Sequence, residues 1–297
     1  MPYSSEHYLD IYDKAYEDSK EERIESLRNR DILIYRVKTI KSGKMLECEI
    51  YPVWKSKGEA VRAKKEMESR KAQKNLNDKN AKKIIIRKIN SNFTEEDIMA
   101  TLTYEGSPPD EKQARKDIQN YIRRIREFRR KNGLPELKYI YVIEFETEGN
   151  SKKRIHHHIL MNSMDRDVVE KLWNKGYANS KRLQPNEFGL EGTARYITKD
   201  PKGTKRWCAS RNLVDPKVTI ADHKITKRQA GKIAKNPNDA QAVFEKMYDG
   251  YLFNDIQVKY SNFVSGAYLY TRMRAAPGTI TIFDKKHRGS GNERQFK

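Results

Sequence analysis

Cysteine is nearly absent from this chain. Its 297 residues hold two, Cys48 and Cys208, far apart and in no paired spacing, which excludes a disulfide framework and a four-cysteine zinc site. No run approaches the roughly 18 apolar residues that a membrane-spanning helix needs, so no membrane partner is expected. The first twenty residues lack a basic region followed by an apolar stretch, and a reducing cytosol is the expected setting. The phosphate-loop pattern G-x-x-x-x-G-K-[ST] is missing too, which excludes a nucleotide-hydrolysing motor of that type. Acidic residues are the minority, 41 against 61 Lys and Arg. The resulting formal charge of +20 favours a polyanionic partner, nucleic acid first. With 36% hydrophobic and 10% aromatic residues the chain is still rich enough to bury a core.

Residues 1–95 read as an accessory region. A polar Tyr-containing helix leads to "DILIYRVKTIKSGKMLECEIY", two β-rich runs around "KSGK" as in a hairpin. A highly charged helix, "KGEAVRAKKEMESRKAQKNLNDKN", follows, best read as a solvated face. From residue 96 to 216 the pattern is that of a core domain. "DIMATLTYE" is a β-branched strand stopped by "GSPPD". In "DEKQARKDIQNYIRRIREFRRKNG", Ala114, Ile118, Tyr121, Ile122, Ile125 and Phe128 recur at helical spacing, with acids early, bases late and Gly133 beyond the end. "LKYIYVIEFETEG" and "RIHHHILMN" form an antiparallel hairpin across "NSKK". A helix ("DRDVVEKLWNKG"), a strand ("YANSKRLQ") and a helix ("NEFGLEGTARYITKD") complete the core. The order predicts an α+β fold: an antiparallel sheet flanked by helices. Residues 217–297 read as helices and strands suited to extending that sheet, then a polar tail.

Alternate side chains on a strand share a face, so His156 and His158 point together, about 7 Å apart, while His157 points the other way. Such a pair is a bidentate arm for a metal. The preceding strand offers Glu144 and Glu146, equivalent by parity. Two imidazoles and a carboxylate leave coordination positions open, which suits Mn²⁺ or Mg²⁺ holding a phosphate oxygen better than a closed zinc site. In "ARYITKD", Tyr196 and Lys199 lie three residues apart on one helical face. A phenol with a pKa near about 10 attacks a phosphodiester only when a metal stabilises the developing charge, and a nearby ammonium assists. Together these residues fit one reaction, a transesterification that leaves a covalent phosphotyrosine.

The order of these motifs resembles the HUH endonucleases, specifically the single-tyrosine rolling-circle replication initiators (Rep proteins). "MATLTY" is similar to their first motif, "RIHHHIL" to their histidine-hydrophobe-histidine motif with His157 in the hydrophobic slot, and "YITK" to their tyrosine motif. "YVIE", "RWCASRNL" and "ECEIY" resemble phrases in replication-associated proteins of Firmicutes plasmids and phages. Asp200 stands where some relatives carry a second tyrosine, so the one-tyrosine form is expected.

The resemblance implies a Rep-like sheet with the histidine strand central and the tyrosine helix across it. It implies Tyr196 as nucleophile, Lys199 as its assistant, and His156, His158 and Glu144 as holders of a divalent metal, Glu144 because "YVIE" matches the family position. The substrate implied is single-stranded or hairpin origin DNA of a plasmid or phage in a bacterial cytoplasm, and with no phosphate loop in the chain the resemblance leaves unwinding to a host helicase or to a supercoiled or hairpin substrate. Thr101, Thr103, Arg154, Arg206 and Arg211 are the expected DNA contacts, with Trp207 a candidate for base stacking. A relaxase or transposase would use the same chemistry. A non-catalytic basic nucleic-acid-binding module would instead bind with strong salt dependence and indifference to chelators.

Overall fold

The computed structural model describes residues 32–55, 70–106, 110–146, 154–198, 206–260, 266–279 and 281. The tyrosine-containing helix expected at the N-terminus and the first half of the charged helix lie outside them. In chain order the elements are β1 (Ile32–Ser42), β2 (Met45–Lys55), α1 (Arg70–Asn90), β3 (Ile98–Thr103), α2 (Glu111–Lys131), β4 (Tyr139–Glu146), β5 (Arg154–Met161), α3 (Arg166–Lys171) and β6 (Ala178–Arg182). Then come α4 (Glu191–Ile197), β7 (Cys208–Ala209), β8 (Lys217–Ala221), α5 (Lys227–Lys235), a short 3₁₀ turn (Pro237–Asp239), α6 (Ala240–Met247), β9 (Tyr251–Tyr260) and β10 (Ala267–Ala275). Contacts divide the chain into two compact units, Ile85–Asp215 and Met1–Ile84 with Pro216–Lys297. Each holds an antiparallel sheet with helices packed on it, an α+β architecture.

In Ile85–Asp215 the strand order is β6-β3-β5-β4-β7, which makes the histidine strand central. Helices cover both faces because both faces are apolar. Ile98, Ala100 and Leu102 of β3, Tyr141 and Ile143 of β4, and Ile155, Ile159 and Met161 of β5 meet α2 through Ala114, Ile118, Tyr121, Ile122 and Ile125, and α3 through Val169. On the opposite face Met99, Ile140, Val142 and Leu160 pack with Ile85, Ile86 and Ile89 of α1 and with Ala194 and Ile197 of α4. The expected helical stripe on α2 is therefore the buried one. Asp110 caps its start by accepting from the Gln113 N–H.

One basic residue is part of this core. Arg129, only 2% exposed, donates to the carbonyl oxygens of Pro135 at 2.7 Å, Ser163 at 3.0 Å and Asn162 at 3.3 Å. The guanidinium ties the end of α2 to the turns that enter β4 and leave β5. Arg129→Met keeps most of the volume but strands three carbonyls, and it is expected to lower stability by about 3–5 kcal/mol. A fall in the urea midpoint without a change in slope would register this.

The other unit corrects one expectation. β8, β9 and β10 do not extend the histidine sheet; they join β1 and β2 in the order β8-β1-β2-β10-β9. β2 is paired with β1 along one side, and its other side is taken by β10, with Cys48 opposite Thr271 and Ile50 opposite Leu269. Partners so distant in sequence leave no local signature. Tyr35, Val37, Leu46, Ile50, Leu269 and Met273 face α5 and α6 through Ile233, Ala234 and Phe244. Cys48 lies in this core, where burial pushes its thiol up to about 12; both cysteines are free. No described helix is long and apolar enough to cross a membrane.

Candidate active site

The face of the first sheet that carries α4 changes character along its length. Met99, Ile140 and Leu160 are buried and apolar. Toward the other end the same parity positions become Thr101 and Thr103 on β3, Glu144 on β4, and His158 and His156 on β5. The registers place Thr101 opposite His158 and Thr103 opposite His156, with Glu144 opposite His156 on the other flank. A polar cluster at the end of an otherwise apolar face contributes little to folding, so it stands out as the site.

Glu144 does not simply meet the residue across from it. Its Oε2 lies 2.8 Å from Nε2 of His158, reached diagonally. Nδ1 of that ring lies 3.2 Å from Thr101 Oγ1, and Nδ1 of His156 lies 3.5 Å from Thr103 Oγ1. Each motif threonine thus sits at the inner nitrogen of one histidine. A hydroxyl both donates and accepts. With Nε2–H donating to Glu144, Nδ1 accepts from Thr101; when Nε2 serves as a ligand, Nδ1–H donates to the same oxygen. The threonines hold the ring planes in either case. Thr101 and Thr103, expected from the sequence as DNA contacts, thus stand beside the two histidines, a placement that only the cross-strand register creates.

Tyr196 reaches this cluster from α4. Ala194 and Ile197 anchor the helix in the core, buried Glu191 accepts from Arg195, and the Thr198 hydroxyl closes the C-terminal turn by donating to the Ala194 carbonyl at 2.7 Å. Tyr196, between the anchoring positions, stays 47% exposed. Its ring meets that of His158 edge-on, with centroids 5.3 Å apart and planes at 71°. Helix α4 is shorter than expected because the chain folds into a bridge at Asn186 and Gly189 first. An accessible phenol therefore stands against the imidazole that carries the carboxylate.

His157 points to the opposite face, as its parity requires, and is wholly buried. Its Nε2 lies 2.9 Å from the Tyr104 hydroxyl, which donates to Asp117 Oδ2 at 3.3 Å. Burial first, then the two neighbouring histidines, lowers its pKa to about 3, so it is neutral at any working pH. Burial and then Asp117 raise the Tyr104 phenol well above its usual value, and it keeps its proton. Trp173 packs edge-on to both rings and its indole N–H donates to the Thr103 carbonyl. This network fixes the strand from behind. Gly176 completes it, because a Cβ there would fall 2.3 Å from the Glu105 nitrogen, where the Glu105 N–H bonds to the Lys175 carbonyl and the Thr103 N–H to that of Tyr177.

The remaining expected residues are less central. Lys199 lies outside the described residues, as do the side chains of Arg154 and Glu146, although their backbones pair with one another. Arg206 is half-buried. Trp207 packs partly against the core behind α4. Arg211 is not brought to the histidines: it lines a cavity of about 800 Å³ with Arg126, Glu136 and Tyr139, near the Ile140 end of β4 where β7 pairs. Among the described residues no three His, Cys, Asp or Glu side chains converge as they stand. Still, His156, His158 and Glu144 offer two imidazole nitrogens and a carboxylate on one face, a donor set suited to a divalent ion with open positions.

Residues 97–201 match the family model of the replication-associated protein ORF2/G2P. The span opens one residue before β3 and closes just beyond α4, so it contains Thr101, Thr103, Glu144, His156, His158 and Tyr196. Likeness to the replication-associated family thus coincides with the site, and it supports a role in replication initiation. No curated protein and no solved structure matches the chain.

Proposed function

We propose that this protein is a metal-dependent endonuclease that nicks and rejoins single-stranded DNA through a covalent 5′-phosphotyrosine, and so starts rolling-circle replication of a plasmid or phage. The observation that carries the reading is the Tyr196 ring against His158, whose Nε2 is bonded to Glu144, at the one polar end of a sheet face. The Tyr196 oxygen attacks the scissile phosphorus and loses its proton as the phosphorus–O3′ bond breaks. The leaving 3′ oxygen takes up a proton, and the 5′ phosphate stays on the tyrosine. Rejoining reverses the step, a 3′ hydroxyl displacing the phenol. His156, His158 and Glu144 would hold Mn²⁺ or Mg²⁺, which supplies polarisation of a non-bridging phosphate oxygen when bound. Lys199, three residues after Tyr196, is suited to hold the same phosphate or ease the proton from the phenol.

Single-stranded oligonucleotides tiled across the replicon that encodes the chain, labelled at either end, test this. With Mn²⁺ a band that survives denaturation should carry the 3′ label, because the fragment with the new 5′ phosphate stays on the protein, and EDTA should remove it. An adduct bearing the 5′-labelled fragment, or one indifferent to EDTA, would contradict the mechanism. Binding without any scission would return the protein to the non-catalytic class.

A further inference from the structure

Among the described residues, α5 and α6 pack on one face of the second sheet only. β2, β9 and β10 turn Leu46, Cys48, Ile50, Val258, Leu269 and Met273 toward α5 and α6. The intervening positions face the other way. There Glu49, Tyr270 and Gln257 form one row across three strands, and Tyr268 and Lys259 stand opposite each other in the next. Most polar groups on this face answer one another: Lys38 bonds to Glu49 at 2.9 Å, the Tyr270 hydroxyl donates to Glu47 at 2.8 Å, and Arg272 pairs with Asp255.

Amid them lies a cavity of about 120 Å³ bordered by Tyr51, Tyr268, Tyr270, Gln257, Lys259 and, from α1, Lys83. One group on its border has no answer. Gln257 Oε1 is buried without a hydrogen-bond partner, a loss of about 1–3 kcal/mol for an acceptor taken out of water. Burial also lowers the Lys259 ammonium to about 8. A ligand that met Gln257 would present an N–H donor on a flat body able to lie among tyrosine rings, and a negative charge on it would fall beside Lys83 and Lys259.

We propose that this cavity binds one unpaired nucleotide of single-stranded DNA, the base among Tyr51, Tyr268 and Tyr270 with an N–H to Gln257, and the phosphate at Lys83 and Lys259. Every base has a stackable face and an amino or imide N–H, so the site tolerates sequence. It is a second DNA contact, on the unit that contains no nicking residues, and it extends the proposed function without depending on its chemistry.

The test uses the full chain in EDTA, so nicking plays no part. Binding of a fluorescein-labelled mixed-sequence 15-mer is followed by anisotropy. Tyr268→Ala should weaken it about 5- to 100-fold, as for the loss of one base–aromatic stack, whereas Tyr268→Phe should restore it. Gln257→Met should also weaken it. Oligonucleotides carrying 4-thiothymidine should cross-link to peptides containing Tyr51 or Tyr268. Cross-links confined to residues 97–201, with affinity unchanged in Tyr268→Ala, would overturn the proposal. So would protection of Tyr268 by a mononucleotide but not by the oligonucleotide, since the ligand would then be a free nucleotide. Failure here leaves the Mn²⁺-dependent adduct standing, and loss of the adduct leaves this binding standing.

Discussion

Tyr196→Phe is expected to abolish the covalent adduct while leaving the protein folded and able to bind DNA. The substitution removes one oxygen. The ring that meets His158 at 5.3 Å remains, and Ala194 and Ile197 keep α4 in the core. Because the side chain is 47% exposed, the change in stability should stay within about 0.5 kcal/mol. Removing a nucleophile, by contrast, takes away the covalent route altogether, and a rate loss of about 10⁴-fold or more is expected. The chain has 17 tyrosines, so the control matters. Tyr177 is 70% exposed and its backbone carbonyl accepts from the Thr103 N–H, which puts it near the same strand end. Tyr177→Phe should nick at the wild-type rate. An adduct that persists in Tyr196→Phe and vanishes in Tyr177→Phe would move the nucleophile.

Much of the site was legible because strand parity is a local property. Once "RIHHHILMN" is a strand, His156 and His158 must share a face and His157 must leave it, and β5 obeys. Helix α2 was legible for the same reason, its apolar residues recurring at helical spacing within one segment. What escaped depends on pairing between distant segments. That each motif threonine lands beside a histidine follows from the β3–β5 register, Thr101 to His158 and Thr103 to His156, and nothing in "MATLTY" announces it. The choice between Glu144 and Glu146 was equally closed to parity. The register sets Glu144 across from His156 and lets its carboxylate reach His158, while Glu146 pairs with Arg154 further out along the hairpin. The second sheet was the least legible part, since β1 and β2 find β8, β9 and β10 from the far end of the chain. Gly176 is a smaller case of the same kind: an ordinary turn residue in sequence, it is required by the backbone of Glu105 lying within 2.3 Å of its missing Cβ.

Thr101→Val should weaken Mn²⁺ binding about 10- to 100-fold, the usual range when a hydrogen bond behind a metal-ligating histidine is lost. Valine copies the shape of threonine, so the strand and its packing stay as they are. What goes is the oxygen 3.2 Å from Nδ1 of His158. Without it the ring loses the partner that fixes its plane, and the tautomer that offers Nε2 as a ligand must leave Nδ1–H unpaired in a nearly buried side chain, His158 being 3% exposed. Thr101→Ser keeps the oxygen and should bind the metal nearly as well as the wild type. Thr103→Val should cost less, since its oxygen stands 3.5 Å from His156, already at the edge of a hydrogen bond. A Mn²⁺ titration read by the loss of the free-ion paramagnetic resonance signal measures all three without any DNA. If Thr101→Val instead leaves the metal affinity intact and weakens oligonucleotide binding in EDTA, Thr101 is a DNA contact, and the histidines take their orientation from Glu144 and the strand alone.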